Sequence, residues 1–455
     1  MAQRSAITAR LLNGRLAVRP RLVAAALIIL AFSSELKFRT RSASAAFSGV
    51  LDLQVLAELG VWGIIGLWAF LQAARGLSSR RYRLGDIGAP TKAMLVLGSL
   101  IVLSASLAFS IRSVARAFQF SVLTVMMLIV VWESRHDVTF FPDMWQRLRR
   151  LFVGVVVASM AIDAVVPLWP PLIDVDGYPR YRWFDVHPVE VGGMTAVALV
   201  MLVGAIFSYR KRRWPRHVTA GVLALIGVLF AGLVATRTRS ALGAGLVAVA
   251  VLMVTTRNRH ERRIATLAAL AGIVALVAVL LTPTGAVLID RVVTRGQTAA
   301  QLESLSQRTE IIDIAFSLFH ERPLFGFGYQ QPGPILSTYY PWAGHGHNIF
   351  VEALMAFGIV GVVVILMLLL ISIGVFVSAR RAGQRTPLDD IATGVLAPFI
   401  VVLIMGLTSP SIAGNVGYEA GVILWFTAFS DIYRHHTRLA IASRRRRRMA
   451  NGLLS

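Results

Sequence analysis

The sequence predicts an all-α fold: a polytopic membrane helix bundle of about twelve transmembrane helices with a large helical extracytoplasmic loop. Three observations carry this expectation. Of the 455 residues, 56% are hydrophobic, above the roughly 45–50% of a soluble domain. The excess gathers in runs of roughly 17–25 residues, the length that crosses about 30 Å of hydrocarbon. The basic residues then alternate from one connection to the next in step with those runs. A chain of this kind forms one bundle and not several soluble domains, because backbone inside lipid must satisfy its own hydrogen bonds.

The expected spans lie near 22–35, 52–74, 92–110, 118–132, 151–169, 189–209, 217–235, 241–256, 264–282, 348–377, 391–408 and 416–433. They divide the chain into a basic N-terminus (1–21), helices one to nine (22–282), the large loop (283–346), helices ten to twelve (347–433) and an Arg-rich tail (434–455). The tenth is long enough to tilt or to extend beyond the membrane. The first is expected to be retained and not cleaved as a leader, because Glu35-Leu36-Lys37-Phe38-Arg39 separates its apolar run from the small residues Ala43-Ser44-Ala45.

Placing the N-terminus in the cytoplasm puts 33 of the 46 Lys and Arg residues in inner segments, among them Arg75 to Arg83, Arg135 to Arg150, Arg210 to Arg216, Arg257 to Arg263 and Arg434 to Arg448. Both termini are therefore expected to be cytoplasmic. In a soluble protein a net charge of +23 would point to nucleic acid. Here it is read as loop anchoring, with Arg444–Arg448 as a stop signal in contact with anionic lipids, and no nucleic-acid partner is expected. The absence of cysteine excludes disulfides, thiolate metal sites and a Cys nucleophile.

The loop from Pro283 to Gly346 stands out, since long loops in compact proteins are usually functional or disordered. Ser304 with Gln307 resembles a capping box. Ile311, Ile312, Ala315, Phe316 and Phe319 then recur at helical spacing until Pro323. This apolar stripe is expected to lie on the membrane or against the mouth of the bundle. Gly326-Phe327-Gly328-Tyr329 follows as a turn with aromatics.

The cations on the outer side need a separate explanation. Thr236-Arg237-Thr238-Arg239-Ser240 joins two spans with almost no loop, and no acidic residue lies between Arg210 and Glu261. Arg237 and Arg239 either snorkel to lipid phosphates or bind a phosphorylated ligand through the planar guanidinium fork. Arg308 pairs with Asp313 or Glu310, or joins the same task. Asp174, Asp176, Arg180, Arg182, Asp185 and His187 are read as a solvated face.

His347-Asn348 opens the tenth span. At 100° per residue, Gly358 and Gly361 fall on the same helix face as His347, where small residues admit another helix. A helix N-terminus disfavours imidazolium, and a neutral imidazole is what a general base needs. A structural, hydrogen-bonded histidine is the competing reading. No metal is expected, because His345-Gly346-His347 has no third ligand at helical or hairpin spacing.

These residues resemble a known family. His347-Asn348, nine residues, then Gly358-Ile359-Val360-Gly361 is similar to the signature of the O-antigen ligase family, which holds lipopolysaccharide O-antigen ligases and related polysaccharide polymerases. Arg239-Ser240-Ala241 resembles the family's Ser-Arg element, with Thr238 in place of Ser. Arg308 through Pro323-Leu324-Phe325-Gly326-Phe327-Gly328 resembles its Arg, helix, Pro-x-x-Gly-x-Gly stretch. His187-Pro188 matches more loosely, with Val189 where Asn is common. The similarity runs from about Arg182 to Gly421.

The resemblance implies an inverting, metal-independent glycosyltransferase of the bacterial cell membrane that uses no cofactor. Its donor would be a glycan on a polyprenyl diphosphate, its acceptor a glycan, lipid or protein hydroxyl, and its surroundings membrane lipids. By position, Arg239 and Arg308 would bind the diphosphate and His347 would activate the acceptor. Arg237 is added from its spacing, and Asn348, Gly358 and Gly361 would pack the helix that carries the site. A transporter or flippase without chemistry is the alternative. Glu58, Asp163, Glu352 and Glu419 are candidate buried acids for it, yet they show none of the repeat relation that transporters usually have.

Overall fold

The computed structural model describes residues 18–36, 52–166, 169–173, 179–208, 215–255, 308–340, 343–382, 386–414 and 416–450, with residues 263, 282 and 287 singly. Its helices are α1 (Pro20–Ser33), α2 (Leu53–Ser78), α3 (Ala89–Leu107), α4 (Ile111–His136), α5 (Phe140–Val165), α6 (Pro188–Ser208), α7 (Arg216–Ala235) and α8 (Arg239–Thr255). They continue with α9 (Arg308–Glu321), α10 (Pro332–Tyr339), α11 (Ile349–Arg381), α12 (Asp389–Met405), α13 (Ser411–Gly414) and α14 (Tyr418–Ala450). The described strands are a single two-residue antiparallel pair, β1 (Leu172–Ile173) and β2 (Pro179–Arg180).

The described residues are thus nearly all helical, as the sequence predicts. Six helices, α2, α3, α4, α6, α7 and α11, are long and apolar enough to cross a membrane. The other expected spans differ for visible reasons. α1 has 14 residues, while α8 and α12 have 17 each. α5 carries Asp143, Arg147, Arg149 and Arg150 in its first half, and α14 ends in a run of arginines. The ninth expected span, apart from Thr282, lies outside the described residues, as do Ser304 and Gln307 of the expected capping box.

Helix starts follow local chemistry. Proline occupies the first turn of α1, α3 and α10, where its missing N–H would have no intrahelical partner. Asp52 caps α2 by accepting from the Val55 N–H at 2.9 Å. In the interior, α6 packs between α8 and α12, and α11 between α3 and α14. At one end of the bundle, ion pairs join neighbouring helices. Arg135 meets Asp431 at 2.8 Å, and the same carboxylate accepts the Gly88 N–H at 2.7 Å. Arg81 and the Tyr82 hydroxyl both meet Glu133 at 2.5 Å.

The opposite end is organised around a break in α11. Gly358 has φ 65° and ψ −159°, so the helix is interrupted there. The Pro323–Gly328 stretch fills the gap. The Phe327 and Gly328 N–H groups donate to the Met355 and Ala356 carbonyls at 2.8 and 3.0 Å, and the Ile359 and Val360 N–H groups donate to the Pro323 and Leu324 carbonyls at 2.9 and 3.4 Å. A Cβ on Gly358 would run into the Leu324 carbonyl, and one on Gly326 into the Met355 carbonyl. These glycines are required by left-handed backbone and close approach together.

This corrects the expectation of a continuous face shared by His347, Gly358 and Gly361. His347 lies before the helix, and the phase is lost at Gly358. The partner at Gly358 is loop backbone and not a helix, and Gly361 faces the Phe357 ring. The α9 stripe packs on the bundle mouth: Ile311, Ala315 and Leu318 are buried with Leu336, Ala343 and Met355, while Phe316 points outward.

Gly358→Ala and Gly326→Ala are expected to lower the melting temperature of the detergent-solubilised protein clearly, each forcing an L side chain into left-handed backbone at about 1–3 kcal/mol besides the collision. Gly63→Ala in α2, where a Cβ meets nothing within 4 Å, should leave it unchanged by the same scanning fluorimetry.

Candidate functional site

The N-terminus of α11 is moored to the end of α12. The Ile349 N–H donates to the Gly406 carbonyl at 2.7 Å, and Asn348 Nδ2 donates to the Leu407 carbonyl at 3.2 Å. The Asn348 side-chain oxygen meanwhile caps α11, accepting from Phe350 N–H at 2.8 Å and Val351 N–H at 3.4 Å. Asn348 is thus the joint between helix and loop.

His347 sits just outside that cap with φ 52°, an uncommon conformation for a non-glycine residue and one that persists only where surroundings enforce it. Two contacts do so. Its N–H donates to His345 Nδ1 at 3.1 Å, and the two rings lie 4.0 Å apart. Between them, the Gly346 N–H donates to Glu352 Oε2 at 2.7 Å. Because His345 Nδ1 accepts, a neutral His345 carries its proton on Nε2.

The same surroundings set the charge of the histidines. Burial first, then the Arg308 cation and His187, push His347 down to about 4. His345 is driven well below the usual histidine range by burial, then by His347, His187 and Arg308. At neutral pH both imidazoles are therefore uncharged. Arg308 and His187 are thus close enough for their charges to be felt by the His345–His347 pair.

The Arg237–Arg239 turn is tied to this group through the start of α6. Arg237 adopts φ 51°. The Thr238 hydroxyl donates to the Pro188 carbonyl at 3.0 Å, one residue from His187. Arg180 secures the turn from below, with Nε donating to the Thr236 carbonyl at 3.2 Å and Nη2 to the Thr238 hydroxyl at 3.1 Å. Gly192 in α6 leaves room for both threonines. Arg239 is the first residue of α8, where the helix dipole adds to its own positive charge.

The solvated-face expectation for Arg180 is corrected. It is 6% exposed, because the carbonyl and hydroxyl it serves have been removed from water. Arg182 pairs with Asp185 at 2.6 Å, and Asp174 and Asp176 lie outside the described residues. Glu310 bonds to the Tyr340 hydroxyl, linking α9 to α10. The sequence reading passed over Arg112 and Gln330, which come together with His345 and Glu352 around a small cleft. Their signal was faint: an arginine at the start of an apolar helix, and a glutamine after the Gly-Phe-Gly-Tyr turn. His187, His345 and His347 approach one another, yet among the described residues no three His, Asp or Glu side chains are arranged to hold a metal ion.

Six described helices are long and apolar enough to cross a membrane, as in a membrane protein. Residues 224–366 match the family model described as O-antigen ligase, which supports the resemblance drawn from the motifs. The match begins within α7 and ends within α11, so it is shorter on both sides than the similarity read from about Arg182 to Gly421. It contains Arg237, Arg239, Arg308, His347, Asn348, Gly358 and Gly361 and leaves His187 outside. No curated protein matches the chain. The family implies an enzyme of glycosyl transfer.

Because the Arg308 charge is the second cause of the His347 shift, Arg308→Gln is expected to raise the His347 pKa above about 4 while burial keeps it below 6.5. Histidine-labelled NMR of the solubilised protein checks this. The sign follows from removing a cation that disfavours imidazolium.

Proposed function

We propose that this protein transfers a glycan from a polyprenyl diphosphate donor to an acceptor hydroxyl at the extracytoplasmic face of the bacterial cell membrane, with inversion and without a metal. Both termini then lie in the cytoplasm. The observation that carries the reading is a neutral, half-buried His347 that feels the Arg308 cation at the mouth opposite the arginine-rich end.

In this reading His347 accepts the acceptor hydroxyl proton as the oxygen bonds to the anomeric carbon. The bond from that carbon to the diphosphate oxygen breaks on the opposite face, and the electron pair leaves with the diphosphate. Arg239 and Arg308, with Arg237, hold that leaving group. Fixed cations in a poorly hydrated site stabilise charge that grows in the transition state, and a well-placed base contributes about 10²–10⁴-fold. His347 in its φ 52° position lies outside the helix hydrogen-bond ladder, at the mouth. Asn348 keeps that position by capping α11, and the interlock at Gly358 keeps α11 itself in place.

Inside the bundle, a lipid tail needs only a lateral approach between helices, so no separate soluble channel is required. The acceptor decides whether the product is a longer polymer or a glycan joined to another envelope component. Export-linked assembly of surface polysaccharide is the favoured setting.

His347→Ala and Arg239→Ala are expected to abolish surface polysaccharide assembly at normal protein levels, with polyprenyl-linked oligosaccharide accumulating in lipid extracts. Arg239→Lys should also impair it, since an ammonium lacks the bidentate fork. Full assembly in Arg239→Ala would remove the diphosphate site. For the purified enzyme, EDTA should leave turnover unchanged, and strict dependence on a divalent metal would contradict the arginine-based mechanism.

A further inference from the structure

Beside the histidine pair, a second polar feature has no role in the chemistry above. A cleft of about 60 Å³ is lined by Arg112 from the start of α4, Gln330 from the turn before α10, His345, Glu352 from the first turn of α11, and Pro410 and Gly414. Gln330 and Glu352 are 4% and 3% exposed. We propose that this cleft is a carbohydrate subsite that takes the hydroxyl-bearing edge of a neutral sugar. The assignment rests on the transferase reading and extends it to a place the diphosphate residues do not occupy.

The chemistry of the lining separates it from the arginine cluster. Glu352 presents a carboxyl group, which a phosphate would meet at a cost and a sugar hydroxyl would meet as an acceptor. Arg112 and Gln330 offer donors to the same edge, and Gln330 is fixed in place by donating to the Gly414 carbonyl. Guanidinium, carboxamide and carboxyl groups around a small volume suit vicinal hydroxyls, each of which both donates and accepts. A sugar seated there by one hydroxyl-bearing edge leaves the rest of its ring projecting outward. It projects towards the reaction, since the His345 ring lines the cleft on one side and lies 4.0 Å from the His347 ring. A sugar seated there has its next hydroxyl or its anomeric carbon within one ring's breadth of the base.

Glu352 also holds the Gly346 N–H through Oε2, so binding and positioning must be told apart. Glu352→Gln keeps a carbonyl oxygen for Gly346 while removing the carboxylate. Arg112→Gln changes a different helix that meets Glu352 at the cleft, where the two charges also act on each other.

The test uses the full chain in lipid nanodiscs. Saturation-transfer NMR follows a panel of methyl hexopyranosides and methyl N-acetylhexosaminides, and calorimetry follows inorganic diphosphate. The expected result is saturation of the glycoside hydroxymethyl and ring protons in the wild type. Glu352→Gln and Arg112→Gln should each weaken it by about tenfold or more, the loss that accompanies one hydrogen bond to a charged group, with diphosphate binding unchanged as the sign of an intact fold. No saturation with any glycoside, or equal saturation in the wild type and both variants, overturns the subsite. A prenyl diphosphate-linked monosaccharide that displaces the methyl glycoside supports the subsite and assigns it to the donor sugar; simultaneous binding supports it and assigns it to the acceptor. Diphosphate binding that is absent, or indifferent to Arg239→Ala and Arg308→Ala, overturns the transferase reading independently of the glycoside result.

Discussion

The structure depends on how it repairs a broken helix. Interrupting α11 at Gly358 leaves carbonyls of the preceding turn and N–H groups of the following one without helical partners, among apolar neighbours that offer none. The Pro323–Gly328 backbone supplies all four of the cross-links described at the break. To do so it must descend to the level of Met355, six residues and about 9 Å along α11 from its first residue. This descent sets the rest of the mouth. Tyr329, next in the chain, stacks on Phe357 with ring centroids 5.7 Å apart. Its N–H donates to Ser104 of α3 at 2.9 Å and its carbonyl accepts from Ser113 of α4 at 2.5 Å. One short stretch thereby fixes three helices against each other, and α9 and α10 are left lying over the gap.

The two ends of the bundle are chemically unlike. At one, carboxylates such as Glu133 and Asp431 are matched with arginines and hydroxyls and tie helix ends together. At the other, uncharged histidines feel the Arg308 cation, and Arg180 spends its donors on backbone and hydroxyl oxygens. Ion pairs occur at this end too, Arg182 with Asp185 and Arg116 with Glu58, so the two ends differ in their histidines and not in whether their acids are paired.

Much of the fold was legible because its signals are local. Apolar runs act within a few residues, and most described helices began within about three residues of the expected spans, whereas α4 and α5 began well ahead of them, at Ile111 and Phe140. The Gly358-x-x-Gly361 spacing was legible too, but its meaning was not: helical phase assumes a continuous helix, and the partner of Gly358 is a backbone that lies about 35 residues earlier in the chain. The candidate site divides the same way. His347, Arg239 and Arg308 stood out through their residue type and sidedness. Arg112, Gln330 and the buried role of Arg180 emerge only when distant segments are folded together, since an arginine beside acidic neighbours reads as hydrated until the Thr236 carbonyl is seen to take its place in water.

The repair at Gly358 is made by main-chain atoms, and this has an evolutionary consequence. Main-chain groups are the same whatever side chains they carry, so apart from the two glycines the seam constrains the path of the chain and not its composition. Leu324 and Phe325, both exposed, ride on that path without securing it. The rim can thus change its side chains over a fixed main-chain frame, redecorating the entrance while the geometry beneath stays in place.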